Sequence, residues 1–192
     1  MARYRKKRLA SIVATVIASI LIVVGQRYGW FDSLNETAQT VQPGLYRVEE
    51  FADGDTIMVD MNGAKEIIRF IGVDTPETHD PRKAVQCFGQ AAADFTKNLI
   101  GKNNVRLEAD PLNTNRDRYN RLLRYVYLPG GTLVNLEIIK QGYGFAYTSF
   151  PFSKVDEFSA AQKEARESGR GLWSNCNPSP NQYGGFTSND AN

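Results

Sequence analysis

Three short clusters in this 192-residue chain bring together residue types that can do chemistry. The first is Asp53-Gly54-Asp55-Thr56. The second runs from Arg69 through Asp74-Thr75-Pro76-Glu77, and the third is Asp117-Arg118-Tyr119-Asn120-Arg121. Carboxylates offer the oxygen ligands a hard cation prefers, and they can accept a proton from water. Arginine's planar fork donates two hydrogen bonds to one phosphate. Each cluster alone also has a plain structural reading. Asp-Gly-Asp is a common turn, and Asp74 to Glu77 reads equally as a turn closed by proline. Arg116, Arg118, Arg121 and Arg124 read equally as a solvated surface. An EF-hand is excluded, because Ile57 falls on the ligand position after Asp53 and Asp55.

The elements that must position these clusters alternate between strand and helix. Leu45 to Phe51, Thr56 to Met61 and Glu66 to Val73 are strand-like, with Asp60, Asn62 and Gly63 as turn residues between the last two. Val105 to Ala109 and Arg121 to Leu128 supply two more strands. Phe88, Ala91 or Ala92, Phe95 and Leu99 recur at helical spacing, and Gly101 ends that helix. Thr132 is placed to cap a short helix bearing Leu133, Leu136 and Ile139, which Gly142 stops. A third helix starts at Ser153 and ends at Gly169. Five strands with one helix after the third and helices at the end fit a small barrel of the α+β class.

The formal charge of +2 averages two unlike regions. Arg3, Arg5, Lys6, Lys7, Arg8 and Arg27 come before the first acid, Asp32, leaving 17 basic against 21 acidic residues, a net of −4. A protein that grips nucleic acid by bulk charge is therefore excluded, and any such substrate must be held locally. The uncharged run from Leu9 to Gly25 is at the short limit for crossing a bilayer. It leads into Gln26, Arg27, Tyr28, Gly29 and Trp30, which offer an interfacial aromatic pair and no small-x-small cleavage site. The expected organisation is a basic cytoplasmic flank (1–8), a single-pass signal-anchor (9–25), a linker (26–44), a globular domain (45–175) outside the cytoplasm and a disordered polar tail (176–192). Cleavage of the anchor, giving a secreted protein, and a buried core helix are the alternatives.

In order, D-G-D-T, R-x-x-x-x-D-T-P-E, D-R-Y-x-R, a late Gln141-Gly142 and Gly171-Leu172-Trp173-Ser174 resemble the staphylococcal nuclease (thermonuclease) family. The resemblance spans roughly Tyr46 to Ser174. It implies an OB-fold barrel of five strands with three α-helices, here preceded by a transmembrane helix. It implies calcium-dependent hydrolysis of DNA and RNA, single strands favoured, with no obligate protein partner. By matching positions, Asp55 and Asp74 would bind Ca2+ through carboxylates and Thr75 through its carbonyl. Glu77 would be the base, Arg69 and Arg121 would hold the scissile phosphate, and Arg118 and Tyr119 would contact a neighbouring one. Tyr147 is the candidate for base stacking, in a region that matches the family only loosely. Asn120 replaces the glycine common before the second arginine, and asparagine tolerates the left-handed backbone that turn needs. Asp53 shapes its turn, and His79, the lone histidine, has no role in the family's chemistry. A non-catalytic binding module of the same fold is the rival reading, disfavoured because Asp55, Arg69, Asp74, Glu77 and Arg121 are all present.

Cys87 and Cys176 are the only cysteines. Outside the cytoplasm a disulfide between them is permitted, and two unrelated thiols are the alternative. The bond is expected, pinning the end of the domain without entering the chemistry.

Overall fold

At Asn62-Gly63 both residues adopt left-handed backbone (φ 58 and 88), the geometry of a tight hairpin turn. The strands it joins begin a barrel in the computed structural model, which describes residues 44–78, 85–182 and 185–190. β1 (Leu45–Asp53), β2 (Thr56–Met61) and β3 (Ala64–Phe70) form an antiparallel meander. β4 is only Val73–Asp74, and helix α1 (Gly89–Ile100) leads to β5 (Val105–Glu108) and β6 (Leu122–Tyr127). β6 runs parallel to β3 and antiparallel to β5, and β5 pairs back to β1, closing the barrel in the order β1-β2-β3-β6-β5. Helix α2 (Val134–Lys140), strand β7 (Phe145–Ala146), helix α3 (Val155–Glu167) and the four-residue helix α4 (Leu172–Asn175) follow. Ile57, Val59, Ile68, Phe70, Tyr125 and Val126 from the barrel share one core with Val134, Ile138 and Ile139 of α2 and Phe158 of α3.

The third strand stops three residues earlier than its apolar run suggests. Gly72 sits at φ +72, and a Cβ there would lie 2.8 Å from the Phe152 ring, so the chain turns tightly under that aromatic. After the turn, β4 pairs with β7 rather than extending the barrel (Val73↔Ala146, Asp74↔Phe145). The expected helix starts also shift. α2 is entered from Leu133 with no side-chain cap, and the Thr132 carbonyl instead accepts the Leu128 N–H at 2.9 Å. Ser153 does not cap α3, because its N–H and hydroxyl both bond to Asp110 at 2.7 and 3.0 Å.

The late Gln-Gly and Gly-Leu-Trp motifs have a packing origin. A Cβ at Gly142 would lie 2.2 Å from the Arg170 carbonyl oxygen, and one at Gly171 would lie 2.2 Å from that of Gly142. The two backbones touch, and the Leu172 N–H donates to the Gly142 carbonyl at 2.8 Å. Any side chain at either position would force them apart.

The tail expected to be disordered is folded where it is described. Cys176 is bonded to Cys87 (S–S 2.06 Å, Cα–Cα 5.8 Å), which confirms the expected disulfide. β8 (Ser179–Pro180) and β9 (Phe186–Thr187) then form a hairpin. Phe186 packs edge-on to Trp173 at 5.0 Å, and the Arg166 guanidinium lies 5.3 Å from its ring centroid. The segment's composition reads as disorder because it is polar. One aromatic anchor, a covalent tether and asparagines that satisfy backbone carbonyls overcome that, as when Asn189 Nδ2 donates to the Cys176 and Asn177 carbonyls at 2.9 and 3.0 Å.

The expected anchor (9–25), its basic flank, residues 26–43 of the linker and His79 lie outside the described residues. Among those described, no helix is long and apolar enough to cross a membrane.

Asp110 ties the barrel to α3 and sets one pH dependence. Its buried carboxylate accepts the Tyr125 hydroxyl (2.5 Å), the Ser153 N–H and hydroxyl, and the Leu112 N–H (2.8 Å). Burial opposes its charge, but these hydrogen bonds prevail and hold the carboxyl below its ordinary value, while the Tyr125 hydroxyl is pushed well up, first by burial. A carboxylate with a lowered folded pKa stabilises the fold above its unfolded pKa, about 4, and that contribution fades as pH falls through the lower folded value. Asp110→Asn should therefore cost about 1–3 kcal/mol at neutral pH, and less in acid. Urea unfolding at both pH values checks this.

Candidate active site

The β1–β2 turn, the segment after β3 and the turn before β6 bring the three clusters to one end of the barrel. Across β2 and β3, Thr56 pairs with Arg69, so Asp55 lies beside that arginine. Arg69 Nη1 donates to the Val73 and Phe70 carbonyls at 2.6 and 3.1 Å, which fixes the plane of its guanidinium. Its Nη2 then faces two carboxylates, Asp55 Oδ2 at 3.1 Å and Asp74 Oδ1 at 3.3 Å. Asp55 is buried, and its Oδ2 also accepts the Thr75 N–H at 2.9 Å. Asp74 remains about half exposed, giving the pair one inner and one outer carboxylate. Thr75 Oγ1 is buried and has no hydrogen-bond partner among the described residues.

Asp53 belongs to the same pocket. Its Oδ1 accepts the Gly54 N–H at 2.8 Å, as a turn-forming aspartate should, and the Thr78 hydroxyl at 3.3 Å. Its carboxyl is pushed up to about 7, by burial first, then by the charge of Asp55 and of Glu77. Glu77 Oε1 accepts the Thr78 N–H at 3.1 Å, so Thr78 bonds to both carboxyl groups and sets Glu77 near Asp53. Asp55 and Asp74 together outnumber the single guanidinium of Arg69 that faces them. Such an excess of carboxylate oxygen, with an orphaned buried hydroxyl at its edge, fits a hard divalent cation. Among the described residues, no three side chains of the His, Cys, Asp or Glu type form a metal-ligand group. A cation here would therefore draw on two carboxylates, a carbonyl, water and substrate.

The third cluster is a self-contained turn. Asn120 adopts the expected left-handed backbone (φ 65). Asp117 accepts the Tyr119 and Arg121 N–H groups at 2.9 and 3.0 Å and Arg121 Nε at 2.7 Å. Burial alone would raise the Asp117 carboxyl, but the bonds from Arg121 and Tyr119 prevail and keep it low, so it stays anionic. Asp117 holds the Nε edge of the Arg121 guanidinium. The exposed Tyr119 ring lies under Arg118 (4.8 Å) and Arg121 (5.4 Å), and Arg118 Nη2 donates to its hydroxyl at 2.7 Å. The parallel pairing of Ile68 with Leu122 sets Arg121 beside β3, two residues from Arg69. Arg116 and Arg124 differ, since Arg116 forms a two-pronged ion pair with Glu66 and Arg124 bonds to Asn115.

Tyr147 continues β7, its N–H donating to the Gly72 carbonyl at 2.9 Å, so it stands opposite Gly72, two positions along from the Asp74–Phe145 pair. Its ring is partly exposed and lies 5.9 Å from the more exposed Phe150. Direct contacts thus join Asp55, Arg69, Asp74 and Thr75. Thr78, bonded to both the Glu77 carboxylate and Asp53, links Glu77 to the turn that carries Asp55, and strand pairing sets Arg121 beside β3. Sequence reasoning gave no role to Asp117, Phe150 or Gln86. An aromatic just before Pro151 was the available signal for Phe150.

A five-stranded barrel bearing this carboxylate–arginine pocket defines a class, and comparison with known proteins gives the same answer. The family model described as "Staphylococcal nuclease homologue" matches residues 67–175. A thermonuclease of Staphylococcus hyicus is 38% identical over 173 residues, covering 88% of this chain and 99% of that protein. A thermonuclease of Staphylococcus intermedius is 34% identical, covering 87% and 98% respectively. The endonuclease YncB of Bacillus subtilis (strain 168) is 40% identical over 124 residues, 64% of this chain and 58% of that one. The chain belongs to the staphylococcal nuclease family.

Proposed function

We propose that this protein is a calcium-dependent phosphodiesterase that hydrolyses DNA and RNA, with single strands the favoured substrate. The observation that carries the reading is the convergence of Asp55 and Asp74 on Nη2 of Arg69, with Glu77 held nearby through Thr78 and Asp53. Calcium held by Asp55, Asp74 and the Thr75 carbonyl would supply positive charge beside the anionic phosphate. Glu77 takes a proton from the water that attacks phosphorus. Arg69 and Arg121 donate to the phosphate oxygens on which charge builds up. The ester P–O bond breaks, and the leaving oxygen takes up a proton. Arg118 and Tyr119 grip a neighbouring phosphate, and Tyr147 stacks on a base.

The test is incubation with single-stranded DNA and with RNA, first with calcium and then with excess chelator. Cleavage should appear with calcium, vanish on chelation and return on readdition. Magnesium, which demands tight octahedral geometry, should support far less turnover. Undiminished cleavage in chelator would remove calcium from the account.

Residues 9–25 are proposed to act as an uncleaved anchor that holds the enzyme domain outside the cytoplasm. The Cys87–Cys176 bond supports an oxidising compartment. Mass spectrometry of protein from its native host should find the original N-terminus. A new terminus between Gly25 and Gly44 would mean a secreted enzyme instead.

A further inference from the structure

A general base works only where its carboxylate reaches the attacking water, and a displacement of about 1 Å can cost about 100-fold in rate. Glu77 lies beyond the two-residue strand β4; its carboxylate accepts the Thr78 N–H at 3.1 Å, and its backbone is held from across the chain. Two hydrogen bonds, one to a side chain and one to the backbone, tie the Glu77 backbone to one residue. The Glu77 N–H donates to Gln86 Oε1 at 2.8 Å, and the Gln86 N–H donates to the Glu77 carbonyl at 2.9 Å. Gly89, at the start of α1, lets this segment lie close, since a Cβ there would sit 2.9 Å from the Glu77 carbonyl oxygen.

Gln86 is itself held by the C-terminal segment. It forms an antiparallel bridge with Asp190, and its Nε2 reaches the Ser188 carbonyl at 3.5 Å. On the next residue, the Cys87 N–H donates to the Asn189 carbonyl at 2.7 Å, and the Ser188 hydroxyl donates to the Cys87 carbonyl at 2.7 Å. The Cys87–Cys176 bond closes the arrangement, with Asn189 bonded back to the Cys176 carbonyl.

We propose that Gln86 is a positioning residue for Glu77, and that the disulfide and the C-terminal hairpin hold Gln86 in place. This rests on the catalytic reading of Glu77. It also revises the expectation that the disulfide stays outside the chemistry, because the bond is one residue from the clamp on the base. Residues 188–190 act as a strap across the chain just before α1, and the strap holds Gln86 where it meets the Glu77 backbone.

The experiment compares the full-length protein with Gln86→Met, Gln86→Glu and the double variant Cys87→Ser/Cys176→Ser, well below their melting temperatures. Gln86→Met keeps the side-chain length but removes the acceptor, and should lower kcat about tenfold with KM for single-stranded DNA unchanged. Gln86→Glu restores an acceptor oxygen and should recover most of kcat. The cysteine variant should lower kcat in the same sense. Hydrogen exchange at the Glu77 amide gives a second readout that needs no activity. It should quicken in Gln86→Met and in the cysteine variant, but not in Asp110→Asn, which weakens the fold elsewhere and should keep its kcat. Wild-type kcat in Gln86→Met, unchanged Glu77 exchange, or an equal kcat loss in Asp110→Asn would each overturn the proposal. If the wild type itself shows no calcium-dependent cleavage, the catalytic reading fails, and amide exchange still decides whether the clamp exists.

Discussion

Glu77→Gln, Arg69→Ala and Arg121→Ala should each reduce turnover about 100- to 1000-fold, the usual effect of removing one preorganised group that meets developing charge. The three losses have different origins. Glu77→Gln preserves shape and hydrogen bonding but removes the proton acceptor, so kcat should fall while substrate still binds. Arg121 is held at its Nε by Asp117, so its removal takes a preset fork away from the phosphate. KM should rise along with the loss in kcat. Arg69→Ala also removes the cation facing Asp55 and Asp74 and the donor to the Val73 carbonyl. It should therefore lower stability as well, and unfolding curves are needed to separate the two effects. Steady-state kinetics on single-stranded DNA checks all three. Wild-type turnover in Arg121→Ala would show that the third cluster is only a solvated turn.

Reducing the Cys87–Cys176 bond should produce the largest change in stability. The cysteines are 89 residues apart, and releasing a loop of that length returns roughly 4–5 kcal/mol of freedom to the unfolded chain in the chain-entropy account. For a domain of this size that corresponds to a fall in Tm of roughly 10–15 °C. The folded state also loses ground, because residues 188–190 and Phe186 depend on the tether to stay against Cys87 and Trp173. Calorimetry with and without reductant measures the shift. An unchanged Tm after complete reduction would mean that hairpin packing alone secures the C-terminus.

Much of the site was legible because its chemistry depends on local spacing. Asp55 and Arg69 meet through a hairpin register that the turn at Asn62-Gly63 dictates, and Asp74 follows Arg69 at a distance one tight turn can close. Strand and helix positions emerged from apolar periodicity to within a few residues. The failures share a cause in contacts made far along the chain. Nothing local to Ile71–Val73 reveals that Phe152, some eighty residues later, presses the backbone into a turn. Ser153 has the look of a cap, yet Asp110 claims it. The tail looks disordered until Phe186 and Cys176 find partners on the body. Gln86, one of many polar residues in sequence, gains its meaning only when Glu77 and Ser188 converge on it.

Calcium titration by calorimetry, comparing the wild type with Asp55→Asn and Glu77→Gln, tests the central claim most directly. The carboxylate pocket should bind one calcium ion in the wild type. Asp55→Asn should lose most of that affinity and turnover with it. Glu77→Gln should still bind calcium while failing to cleave, separating the residue that holds the ion from the one that moves the proton. Equal calcium affinity in the wild type and Asp55→Asn, or full turnover in Glu77→Gln, would contradict the account.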